Sequence, residues 1–153
     1  MTDSTIHASA VLCGTCGILI RGPSGAGKSR LALSLLQSAS FARLVGDDRI
    51  HLEAAHGRLL MRPAKALEGL IEIRGLGIRH LPFEPVAVVQ LAVDLAVADA
   101  QRLPQEADLT TKIEGIAIAR LAVAPGTEAL AVLLAFLQYG KAQAAPPASL
   151  NRR

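Results

Sequence analysis

The sequence predicts an α/β domain built around a sheet, and three observations lead to this fold class. Short apolar runs separated by turn residues recur along the 153 residues, as expected of strands. Fewer segments have helical character, and one glycine-rich loop separates a predicted strand from a predicted helix. The apolar fraction of 51% lets a chain of this length bury one core. We therefore expect one domain over residues 1–140, followed by a disordered tail over residues 141–153.

Two strands, residues 8–13 and 16–21, are predicted on either side of a tight turn containing Gly14. The turn lies within Cys13-Gly14-Thr15-Cys16, which holds both cysteines of the chain. A C-x-x-C pair can be a redox centre or half of a zinc site. Zinc needs four ligands and the sequence has no second cysteine pair, whereas a redox pair usually opens a helix. We interpret the cysteines as small residues flanking a hairpin turn.

The remaining elements follow in order. Leucines at positions 31, 33, 35 and 36 predict a helix over residues 29–38. Two glycines within residues 71–78 indicate a loop where the backbone turns or lies close to another group. An apolar helix is expected over residues 127–139, packed on the sheet because it is too short to span a bilayer. Further strands are predicted at residues 42–45, 50–53, 59–62, 86–95 and 116–123, of which 86–95 is apolar enough to be buried on both faces.

Composition and charge narrow the classes of function. The net charge is +3 and the basic residues are spread along the chain. Aromatic residues make up 3% of the chain, so single-stranded nucleic acid would lack its usual stacking platform. No apolar run reaches the ~18 residues needed to span a membrane, and the N-terminus lacks a signal pattern. We expect a cytoplasmic protein without nucleic-acid or membrane partners.

The strongest motif is G-x-x-x-x-G-K-[ST], a P-loop pattern. Its glycines let backbone N–H groups turn inward around an anion, and the following helix adds its positive end. Lys28 would place a charge on the β- and γ-phosphates of ATP, and Ser29 would offer an oxygen to Mg²⁺. The sequence has no Asn-Lys-x-Asp motif of GTPases and is too short for a motor ATPase, which leaves a small kinase or a nucleotide-sensing module. The motif runs Gly22-Pro23-Ser24-Gly25-Ala26-Gly27-Lys28-Ser29.

Two further groups of residues could take part in catalysis or metal binding. Asp47 and Asp48 end a predicted strand. One could accept the proton of a substrate hydroxyl and the other could help hold the metal. Adjacent acids raise one another's pKa, although such pairs also occur as ordinary turn formers. Glu72 lies in an apolar run, where Mg²⁺ or Arg74 could compensate its charge, and the alternative is a surface strand with a Glu–Arg pair.

The order of His7, G-P-S-G-A-G-K-S, L-V-G-D-D and I-E-I-R-G-L-G-I resembles the catalytic domain of the HPr kinase/phosphorylase family. The resemblance covers roughly residues 6–78. It implies a P-loop-containing kinase domain of the HPr kinase/phosphoenolpyruvate carboxykinase-like type, with a central mixed sheet and flanking helices. It also implies a homo-oligomer, since members of the family form hexamers.

The resemblance further implies an activity and a set of site residues. The family uses ATP and Mg²⁺ to phosphorylate a serine of HPr, the phosphocarrier of the sugar phosphotransferase system, and many members also run the phosphorolysis of phosphoseryl-HPr. Lys28 would bind phosphate, and Ser29 and Glu72 would ligate magnesium. Asp48 would be the base, His7 would be the family's active-site histidine, and Arg74 and Arg102 would offset charge.

The chain departs from the family's pattern in three places. It resembles a short form without the family's N-terminal domain. The D-R-L-G segment of the family is matched weakly by Gln101-Arg102-Leu103-Pro104, and the P-G-R-N segment linked to the reverse reaction is replaced by Pro125-Gly126-Thr127-Glu128. Two alternatives remain open: a small-molecule P-loop kinase, and a non-catalytic ATP-sensing regulatory module.

Overall fold

The structure is a computed structural model that describes residues 4–39 and 41–140, within which it has ten strands and two α-helices. The tail predicted at residues 141–153 lies outside the described residues. Neither helix of the described part is long and apolar enough to cross a membrane.

The N-terminal half follows the predicted order closely. Strands β1 (Ser9–Cys13) and β2 (Cys16–Arg21) form an antiparallel hairpin in which Cys13 lies opposite Cys16, so the turn predicted between the cysteines is confirmed. Gly14 occupies the left-handed region in this turn, with φ of 64°. The next elements are helix α1 (Lys28–Ser38) and strands β3 (Ala42–Gly46), β4 (Ile50–Ala55) and β5 (Arg58–Pro63).

The segment with two glycines forms a small hairpin of its own. Strands β6 (Leu70–Ile73) and β7 (Gly77–His80) pair antiparallel, and Gly75 and Gly77 adopt φ of 92° and 96°. The predicted backbone turn is therefore confirmed. The remaining elements are strands β8 (Ala87–Leu95), β9 (Thr110–Ile113) and β10 (Ile116–Val123) and helix α2 (Ala129–Tyr139), with 3₁₀ turns at Lys65–Leu67 and Glu106–Leu109.

The main sheet is mixed, and its central path has the order β3-β1-β2-β8-β10-β9. Strands β2, β8 and β10 are parallel to one another, and β1 pairs antiparallel with both β2 and β3. Strand β3 therefore runs in the same direction as β2. As a result, β2, β3, β8 and β10 all end at one edge of the sheet, where the glycine-rich loop also begins.

Two apolar layers cover the two faces of this sheet. Helices α1 and α2 pack on one face, around Leu35 and Leu133, both of which are fully buried. The β4–β5 hairpin packs on the other face, around Leu59 and Met61, and β5 also pairs with the beginning of β8. Strand β8 lies between the layers and is largely buried, as the prediction for this apolar run required. The α/β fold class with a central mixed sheet and helices beside it is thus confirmed.

Candidate functional site

The glycine-rich loop leaves β2 at the common edge and enters α1. Gly25 and Gly27 have φ of 82° and 97°, and an added Cβ at either would meet no atom within 4 Å, so these positions need glycine for its conformation rather than for space. Lys28 is 6% exposed, and its Nζ donates to the carbonyl oxygens of Gly22 at 2.8 Å and Pro23 at 3.1 Å. The loop is therefore wrapped around the lysine ammonium group.

Ser29 and Asp47 meet beside this loop. The Ser29 Oγ lies 3.0 Å from Oδ1 and 2.8 Å from Oδ2 of Asp47, and the Ser9 Oγ donates to Asp47 Oδ1 at 2.5 Å. Asp47 is 5% exposed, and among the described residues no lysine or arginine pairs with it. A buried carboxylate that is balanced only by neutral hydrogen-bond donors, two hydroxyls and the Asp48 backbone N–H, is well suited to a cation.

The donor set at Asp47 fits magnesium in particular. Mg²⁺ prefers oxygen ligands and usually keeps several waters, using one or two protein carboxylates together with substrate phosphates. One carboxylate and one serine hydroxyl beside a phosphate-binding loop satisfy that description. Within residues 4–39 and 41–140 there is no group of three or more His, Cys, Asp or Glu side chains arranged to hold a metal, so Glu72 does not join Asp47 and Asp48 in such a group.

Asp48 has a different environment from its neighbour. Its side chain is 60% exposed, and its Oδ1 lies 3.1 Å from Nε2 of His7. Its backbone adopts φ of 75°, a conformation that aspartate and asparagine tolerate better than most residues. A backbone bridge between Ile6 and Ile50 holds the N-terminal segment beside this turn. The structure therefore brings His7 and Asp48 together and leaves the Asp48 carboxylate accessible.

The buried carboxyl group of Asp47 has a shifted pKa. Burial is the largest effect on Asp47 and raises the pKa of its carboxyl above the ordinary range. Hydrogen bonds from Ser9 and Ser29 lower that pKa in part, and the charge of Asp48 adds a smaller increase. The raised pKa that the sequence predicted for one member of the pair therefore belongs to Asp47, and it comes from desolvation more than from the neighbouring charge.

Three other predicted site residues lie on exposed segments. Glu72 and Arg74 are exposed in the β6–β7 hairpin, which lies beside α1, and no ion pair joins them in the described structure. Arg102 is exposed in the connection between β8 and β9. The described contacts do not bring these three side chains to Lys28 or Asp47, so their roles stay predictions.

A charged cluster that sequence reasoning missed lies at the same edge of the sheet. Asp94 near the end of β8 is 7% exposed and receives hydrogen bonds from Arg21 Nε at 2.7 Å, Arg21 Nη2 at 2.9 Å and Arg120 Nε at 2.7 Å. Arg120 also reaches Asp99 at 3.3 Å. Arg21 is the residue before Gly22, so this cluster anchors the start of the glycine-rich loop. The signal in the sequence was an aspartate inside a largely apolar strand, which needs a partner when buried.

The Asp94 cluster has a consequence for stability. Burial alone would raise the pKa of Asp94, but hydrogen bonds and charges from Arg21 and Arg120 outweigh it and hold that pKa below the ordinary range. A lowered folded-state pKa stabilises the fold above the usual aspartate pKa, and that stability is lost as pH falls toward the folded-state pKa.

We expect Asp94→Asn to lower the free energy of unfolding at pH 7 by about 2–4 kcal/mol, because it leaves two partly buried arginines without their partner. Urea unfolding measures this, and the deficit should shrink as pH falls below 4. Glu53→Gln, which removes the exposed Glu53–Arg62 pair, is the control and should cost less than about 1 kcal/mol. Equal effects of the two variants would contradict the assigned role of Asp94.

Asp47 should show the opposite dependence on pH. Because its folded-state pKa is raised, its ionisation destabilises the metal-free fold progressively as pH rises above the usual aspartate pKa. We expect Asp47→Asn to raise the Tm of the metal-free protein at pH 7 by about 2–4 °C, the shift that ~1 kcal/mol produces in a domain of this size. The gain should vanish near pH 3, as measured by scanning calorimetry. A gain that is independent of pH would contradict this prediction.

The fold and site together define a P-loop domain of the mixed α/β class, and comparisons with known proteins specify it further. The model of the HPr Serine kinase C-terminal domain matches residues 1–136. The chain belongs to that family.

Named relatives agree with this assignment. An HPr kinase/phosphorylase of Clostridium beijerinckii is 41% identical over 76 residues, which are 50% of this chain and 24% of that protein. One of Streptococcus thermophilus is 43% identical over 76 residues, 49% of this chain and 24% of that protein. The chain thus spans about a quarter of these relatives' length. The solved structure of the Hpr(Ser) kinase/phosphatase from Coxiella burnetii matches the fold with a TM-score of 0.72, at 24% identity, over 89% of each chain.

Proposed function

We propose that this chain is a Mg²⁺- and ATP-dependent protein-serine kinase whose substrate is HPr. The observation that carries the proposal is the difference in exposure between two adjacent carboxylates at one edge of the sheet. Asp47 is buried and hydrogen-bonded to Ser29 of the P-loop, whereas Asp48 is accessible to solvent. Membership of the HPr serine kinase C-terminal domain family supports the choice of reaction.

The phosphate end of ATP would be bound by the glycine-rich loop. The Lys28 ammonium group now bonds to the carbonyl oxygens of Gly22 and Pro23 and would turn toward the β- and γ-phosphates. Ser29 and Asp47 would hold Mg²⁺, which supplies positive charge to the transferring phosphoryl group when bound. Binding the cation would also favour the ionised form of Asp47, which burial disfavours.

The proton would be taken by Asp48. A serine on a protein surface can reach only a carboxylate that faces solvent, and the Asp48 side chain is 60% exposed. The contact with His7 Nε2 would keep Oδ1 oriented while the other oxygen accepts the hydroxyl proton. Proton removal by a positioned carboxylate is the form of general-base catalysis that kinases use.

Further parts of the proposal rest on resemblance to the family alone. These are Glu72 as a second magnesium ligand, Arg74 and Arg102 as groups that offset charge, a homo-oligomeric assembly, and the phosphorolysis of phosphoseryl-HPr. The last can be assayed separately with phosphoseryl-HPr, inorganic phosphate and Mg²⁺.

The decisive experiment incubates the pure protein with HPr, ATP and Mg²⁺ and locates the phosphate by mass spectrometry. We expect a phosphoserine on HPr that forms only with both ATP and Mg²⁺. ATP binding without transfer would instead support a sensing module, and transfer to a small metabolite would support a small-molecule kinase. Phosphohistidine on HPr would also count against the proposal.

A further inference from the structure

A cleft of about 250 Å³ opens on the helical face beside the glycine-rich loop. One wall is the end of that loop and the first turns of α1, including Gly27, Arg30 and Ser34. The other wall is the β10–α2 connection, including Thr127 and Glu128. Ligand sites typically occupy ~300–1,000 Å³, so this cleft suits a small group rather than a protein segment.

Two opposite charges line this cleft without neutralising each other. Arg30 is exposed and makes no hydrogen bond or ion pair within the described residues. Glu128 accepts a bond from the Leu130 backbone N–H through Oε2 at 3.3 Å, while Oε1 has no partner among residues 4–39 and 41–140. An arginine and a carboxylate oxygen that share a cleft but do not pair are both available to one bound molecule.

The position of the cleft restricts what that molecule can be. Its wall at Gly27 belongs to the phosphate-binding loop itself, so a ligand there adjoins a bound triphosphate. Most of the exposed lining is polar, and Leu130 adds a small apolar area against which the face of a heterocycle can lie. An arginine face attracts an aromatic ring, and a carboxylate accepts hydrogen bonds from a vicinal diol.

We propose that this cleft is the nucleoside subsite of the bound nucleotide. The Glu128 carboxylate accepts hydrogen bonds from the ribose hydroxyls, and the Arg30 guanidinium stacks on the base. This inference rests on the proposed function, since it needs a triphosphate in the glycine-rich loop. It adds that tight nucleotide binding requires the two ribose hydroxyls, because Glu128 accepts their hydrogen bonds.

The test compares ATP, 2′,3′-dideoxy-ATP and inorganic triphosphate by isothermal titration calorimetry in the presence of Mg²⁺. Glu128→Ser is the informative variant, because serine is a preferred helix N-cap but its hydroxyl is too short to reach the cleft. The matched control is Glu106→Ser, at an exposed glutamate in the Glu106–Leu109 turn that does not line the cleft.

For the unchanged chain we expect ATP to bind about tenfold more tightly than the dideoxy nucleotide, the effect of one hydrogen bond to a charged group. Glu128→Ser should reduce that ratio to within about twofold and leave the affinity for inorganic triphosphate unchanged or slightly increased. Arg30→Ala should weaken ATP about threefold relative to triphosphate. The Glu106→Ser control should keep the ratios of the unchanged chain.

These measurements distinguish a failure of the nucleoside subsite from a failure of the proposed kinase function. If triphosphate and ATP bind equally well, or if Glu128→Ser retains the tenfold preference for the diol, the nucleoside subsite is refuted while the proposed kinase function stands. If neither ATP nor triphosphate binds, the proposed function fails and the subsite fails with it.

Discussion

Replacing Asp48 with asparagine should slow phosphoryl transfer to HPr by about 10²–10⁴-fold, the range that general-base catalysis contributes. The affinity for ATP should remain within about twofold, because the phosphate-binding loop does not include this side chain. Asparagine suits the test because it tolerates the positive φ of 75° at this position, whereas alanine would add strain. Single-turnover kinetics with phosphoserine detection measures the rate, and calorimetry measures the affinity.

The control for Asp48 is Glu53→Gln, which neutralises a carboxylate of similar exposure, 57% against 60%, on strand β4. Its transfer rate should equal that of the unchanged chain. If Asp48→Asn transfers phosphate as fast as this control, Asp48 does not accept the proton. Its role would then be limited to positioning the loop.

Replacing Lys28 with methionine should weaken the binding of both ATP and inorganic triphosphate by about 100-fold. The ammonium group is the one charge placed inside the loop, and hydrogen bonds between charged groups contribute about 1.5–3 kcal/mol each. Methionine keeps the length and apolar body of the side chain, so the packing around a residue that is 6% exposed is preserved. Titration calorimetry with each ligand measures the loss.

Lys65→Met is the matched control for this change, since Lys65 is exposed in a 3₁₀ turn and its replacement removes the same charge from the chain. The control should bind both ligands as before. Lys28→Met that binds triphosphate as tightly as Lys65→Met, with an unchanged unfolding midpoint, would show that the loop does not bind phosphate through its lysine.

The phosphate-binding loop could be predicted because its chemistry is local. Eight consecutive residues supply the left-handed glycines, the lysine and the serine, so no long-range pairing is needed to bring them together. The same holds for the turn between Cys13 and Cys16 and for the glycine-containing turn between β6 and β7, although the two strands themselves were predicted as a loop. In each case glycine permits a backbone conformation that other residues adopt at a cost.

Contacts between residues that are far apart in the sequence could not be predicted in the same way. The Asp94 cluster joins three strands that are far apart in the sequence, and only the parallel register of β2, β8 and β10 places Arg21 and Arg120 beside one carboxylate. Strand β9 was missed for a related reason. Its four residues, Thr110–Ile113, suit a strand but form too short and too exposed a run to stand out in the sequence, and it is the pairing with β10 that defines them as a strand.

The sequence by itself determined the fold class, the phosphate-binding loop and the acidic pair, because each is encoded in the order of neighbouring residues. Only the tertiary structure decided that Asp47 is buried against Ser29 while Asp48 faces solvent beside His7. It also decided that Arg30 and Glu128 line one cleft. The physical reason is that burial, and with it the pKa of Asp47, depends on which strands pair and which layers cover them, and the sheet sets this over distances that chain order does not reveal.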